Sequence, residues 1–62
     1  MKTFRISGDR EILNALNLPN NNILQAENED RAFEILGDLA FSAGYLRIGS
    51  VLNRLNLTLL NN

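Results

Sequence analysis

Cysteine and histidine are both absent from this chain of 62 residues. Without thiols there are no disulfide staples and no thiolate metal sites. Without imidazole the chain lacks the commonest metal ligand and the usual acid/base group at neutral pH. Lysine is almost missing too: Lys2 is the single amine side chain available to activate Ser7, Ser42, Ser50 or Tyr45. Glycine-rich phosphate loops are absent, since Gly44 and Gly49 fit neither the P-loop nor the dinucleotide spacing. Long apolar runs are absent as well. The start, MKTFRIS, has none, so no signal peptide is expected, and the apolar stretch 35–52 is broken by Asp38 and Arg47, so no membrane span is expected. These absences lead us to expect no catalytic residue, no metal, no cofactor and no small-molecule substrate. The lack of cysteine fits a cytoplasmic setting.

A chain this short forms one domain, residues 1–62, and buries only about 60% of the surface exposed by its unfolded form. Such a small core gains from self-association, so a homo-oligomer is expected. The net charge of −1 hides a division. Residues 1–24 carry Lys2, Arg5 and Arg10 against Asp9 and Glu11, which leaves +1. Residues 25–41 carry Arg31 against Glu27, Glu29, Asp30, Glu34 and Asp38, which leaves −4, and residues 42–62 hold only Arg47 and Arg54, which leaves +2. Five of the six basic residues are arginine, the planar donor suited to phosphates, base edges and interfaces.

The informative stretch is residues 30–55. At about 100° per residue, Ala32, Phe33, Ile35, Leu36, Leu39, Ala40 and Ala43 fall within one arc of roughly 160°, the core face of a helix. Asn28 is placed to cap it, with Glu29 and Asp30 in the first turn, and Gly44 to end it. Gly37 lies inside, where it permits close helix contact. Beyond the glycine, Ile48, Val51, Leu52 and Leu55 again recur at helical spacing.

Before this stretch, Lys2 to Ile6 alternates as a short strand. Ser7 is a candidate cap for a helix with Asp9 in its first turn and Ile12, Leu13 and Leu16 on its apolar side, stopped by Pro19 and the turn-forming Asn20-Asn21-Asn22. Ile23 and Leu24 are expected to tuck under the next helix. At the far end Leu55, Leu57 and Leu59 alternate with Asn56 and Thr58, a strand beside the first. The expected fold is therefore α+β and mainly helical: a short amino-terminal strand, three helices of which the last two form a helix-turn-helix-like pair, and a short carboxyl-terminal strand. The alternative is two helices on a three-stranded sheet, with Gly49-Ser50 turning a hairpin between Tyr45–Ile48 and the segment from Val51 onward.

Ala40, Gly44 and the apolar Leu52 and Leu55 together resemble a helix-turn-helix, although Ser50 and Asn53 stand where apolar anchors usually fall, so the turn needs about two extra residues. The resemblance implies a recognition helix presenting Arg47, Ser50, Asn53 and Arg54 to DNA, arginine gripping guanine or phosphate and asparagine reading adenine. Low basic content works against a monomer in this role; a two-fold dimer doubles the arginines. The rival expectation is a protein-interaction module, an oligomerisation domain or small inhibitor. Its surface is Phe41, which lies well off the apolar stripe beside Glu34 and Asp38, with Tyr45 nearby. Glu34 and Asp38 are four residues apart, but paired carboxylates on a solvated helix face lack the cleft that acid/base work requires.

Overall fold

The computed structural model describes residues 1–61, with the backbone alone at Asn20. Three strands and four helical segments alternate: β1 (Lys2–Gly8), α1 (Arg10–Leu16), α2 (Pro19–Asn22), β2 (Ile23–Ala26), α3 (Glu29–Ser42), α4 (Ile48–Leu52) and β3 (Leu55–Asn61). Three of the helices exceed one turn, and α2 is a single turn. The strands form one antiparallel sheet in the order β2-β1-β3, so the first strand lies between the other two.

Register decides what the sheet buries. On one face Leu24, Phe4 and Leu59 lie side by side, followed by Ile6 with Leu57 and Gly8 with Leu55. The other face carries Thr3, Arg5 and Ser7 beside Gln25, Thr58 and Asn56. One face is thus apolar and covered by helices while the other meets solvent, the usual economy of an antiparallel sheet. The core is Phe4, Ile6, Ile12, Leu16, Ala26, Ala32, Leu36, Ala40, Val51 and Leu55, with no polar side chain buried among the described residues. Ala32, Leu36 and Ala40 bring α3 onto this layer, as their spacing in the sequence requires.

Several expectations need correction. The fold is α+β, but the emphasis on helix gives way to a three-stranded sheet. Its third strand is β2, where Ile23 and Leu24 were expected merely to tuck under a helix; the hairpin at Gly49-Ser50 does not form, and that segment is α4. The last helix does not run to Leu55. It stops at Leu52, because Leu55 is drawn into the sheet opposite Gly8. Nor is Ser7 the cap of α1. Ser7 belongs to β1 opposite Asn56, and Asp9 caps instead, its carboxylate accepting from Glu11 N at 2.9 Å and Ile12 N at 3.3 Å. Asn28 caps α3 as expected, accepting from Arg31 N at 2.8 Å. The asparagines of the first loop serve backbone conformations that most residues resist: Asn17, Asn21 and Asn22 all have positive φ, the left-handed region that asparagine tolerates.

Candidate functional site

The two candidate surfaces flank the junction between α3 and α4. The helix α3 ends at Ser42, Gly44 takes a φ of +99°, and Tyr45 N donates back to the Ala40 carbonyl at 3.1 Å. The connection is five residues, 43–47, and α4 then packs across α3 at Gly37, where a Cβ would lie 3.2 Å from Ile48 Cγ2. The close contact expected at Gly37 is present.

The four residues expected to read DNA are all exposed, but they do not share one helical face. Arg47 is the residue before α4, Ser50 is within it, Asn53 caps its end, and Arg54 already leads into β3. A five-residue helix is about 7.5 Å long, short for a groove-reading element. Arg47, Ser50 and Arg54 do line one groove of about 230 Å³, together with Tyr45, Asp9 and Glu11. Arg54 donates to Asp9 there, at 3.4 Å. Two guanidinium groups thus face two carboxylates, and the groove offers a phosphate no net charge. A wider concavity of about 580 Å³, between β1 and the first two helices, is lined by Arg5 and Arg10 beside Asn14, Asn21 and Asn22, with no acidic side chain among the described residues that line it. Arg5 and Arg10 stand five residues apart in the sequence, and the β1–α1 turn brings them to one concavity.

The interaction residues separate differently. Glu34, Asp38 and Phe41 are three, four and seven residues apart on α3, all on its solvent side, and Phe41 is 67% exposed. The tail of leucines does not cover it. Tyr45 leaves this group: it is half-buried against the core and turned to the groove with Arg47. Leu46, just beyond the turn, is 87% exposed. The signal for it was weak, a leucine between the turn glycine and an arginine.

Charge on this face is one-sided. The helix α3 carries Glu29, Asp30, Glu34 and Asp38 against Arg31 alone, a net −3. Arg31 pairs with Glu34, both well exposed. No basic residue stands in the last turn, so Asp38 approaches the negative end of the helix dipole uncompensated. Among the described residues no group of three or more acidic side chains converges on a possible metal site, and no helix is long and apolar enough to cross a membrane. No family model, curated protein or solved structure matches the chain.

Proposed function

We propose that this chain is a non-catalytic protein-interaction module, and that it docks the outer face of α3, with Glu34, Asp38 and Phe41 and the adjoining Leu46, onto a basic protein surface containing an apolar pocket. The observation that carries this reading is the uncovered ring of Phe41 near the end of an acidic helix, with the exposed Leu46 in the connection that follows. An aromatic ring is the largest single contributor an interface anchor can make, and anchors sit inside a polar rim that excludes water. Glu34 and Asp38 supply such a rim with charge of one sign, which steers a basic partner and discriminates against acidic ones. The DNA reading has less support. Its arginines are split between a helix start and a strand start, and one is already engaged by Asp9.

The reading is tested by backbone amide NMR of the labelled chain, titrated separately with a synthetic amphipathic peptide of leucine and lysine and with a short DNA duplex at low salt. Saturable shifts confined to residues 34–46 with the peptide, weakened by salt and lost in Phe41→Asp, are the expected result. Phe41 is exposed, so that variant keeps its fold, although a second carboxylate near the end of α3 costs about 1 kcal/mol. Shifts confined to residues 47–54 with the duplex, and none with the peptide, overturn the reading in favour of nucleic acid.

A further inference from the structure

Natural sheets protect their edges with short strands, charges, proline, bulges or a covering segment, because an open edge is a row of unpaired N–H and C=O groups. The β2 edge follows that rule: it is four residues long and Glu27 follows it directly. The β3 edge does not. It is seven residues, LNLTLLN, with no charge and no proline, and its one irregularity falls at Leu60, near its end. Among the described residues no element other than β1 pairs with it. Apolar surface runs out to this edge, since Leu59, level with the buried Phe4, is 48% exposed and Leu60 is 42% exposed.

We propose that a second copy of this chain pairs antiparallel on β3, about a two-fold axis at Thr58, joining two sheets into one. The segment is its own complement in that register. Leu57 comes opposite the second copy's Leu59 on the helix-covered side. Thr58 meets its counterpart on the solvent side, within the regular stretch that ends before the irregularity at Leu60. The alternation of side chains from Leu55 to Leu59 is preserved across the axis, so both apolar rows remain on one face. No like charges meet, and such meetings are what normally forbid this contact. A two-fold contact closes on itself and consumes the open edge of both copies. This surface is separate from Phe41 and Leu46, and its occupancy leaves them free.

Sedimentation equilibrium of the full chain from micromolar to millimolar concentration tests the proposal. The mass is expected to rise from 7.0 kDa toward twice that value and stop there. The variant Thr58→Lys sets two like charges opposite each other at the axis and is expected to weaken the dimer about fivefold or more. An equal mixture of Thr58→Lys and Thr58→Glu chains sets opposite charges there and is expected to restore it. A wild-type chain that stays at 7.0 kDa throughout overturns the proposal, as does a dimer indifferent to the paired lysines, or a mass that climbs without a ceiling.

Discussion

Gly8, Asp9 and Arg54 show how much one corner can depend on single atoms. Gly8 has a φ of +128°, and a Cβ there would overlap the Arg54 carbonyl oxygen, so the chain crosses from sheet to helix at the closest approach of two backbones. The next residue donates its N–H to that same oxygen at 3.1 Å and caps α1 with its side chain. Two substitutions separate these roles. Gly8→Ala is expected to cost about 2–4 kcal/mol, combining a disfavoured backbone conformation with overpacking. Asp9→Ala is expected to cost about 1 kcal/mol for the lost cap, and the exposed pair with Arg54 adds little to that. Urea denaturation of both variants checks the order, which reverses if the side-chain contacts of Asp9 dominate the corner.

At the scale of elements, the contact of α3 with α4 rests on what Gly37 omits. Gly37→Val drives a side chain into Ile48 and is expected to destabilise by about 1–3 kcal/mol despite better helix propensity, with amide shifts spreading through residues 48–52; an unchanged urea midpoint shows that α4 can simply move away. This element pair also shows what was legible beforehand. Asn28, Glu29, Asp30 and the stripe from Ala32 to Ala40 all specify the same helix, each by local chemistry, so α3 could be read directly. Leu55 satisfied two periods at once, helical with Val51 and Leu52 and alternating with Leu57 and Leu59. The sheet decided between them through Gly8, some 47 residues away in the chain. The strand β2 escaped notice for the same reason: two apolar residues become a strand only when Arg5 and Phe4 arrive beside Ile23 and Leu24. Phe41 stood out because it broke the helix stripe, a local signal. Leu46 and the open edge of β3 did not, since exposure after a turn and the lack of a neighbouring strand are properties of the assembled chain.

The molecule as a whole has little stability to spare. At about 0.05–0.15 kcal/mol per residue, a chain this size holds roughly 3–9 kcal/mol. Leu36 is fully buried where α3 meets the core, and Leu36→Ala is expected to remove about 2–5 kcal/mol, lowering the urea midpoint by at least about a fifth. A loss below about 1 kcal/mol shows that the core closes around the missing atoms and that its centre lies elsewhere.

The strand order has a bearing on how such a chain is made. Of the three strands, the one in the middle of the sheet is the first to leave a ribosome, and its longer flank, from Thr3 to Gly8, is matched only by residues 55–61. At about 5–20 residues per second, β1 waits several seconds for β3, with Phe4 lacking half its lateral cover and Ile6 all of it. Nascent chains arrested before Leu55 are therefore the form of this protein most in need of a chaperone, and the form in which a protease should find it first.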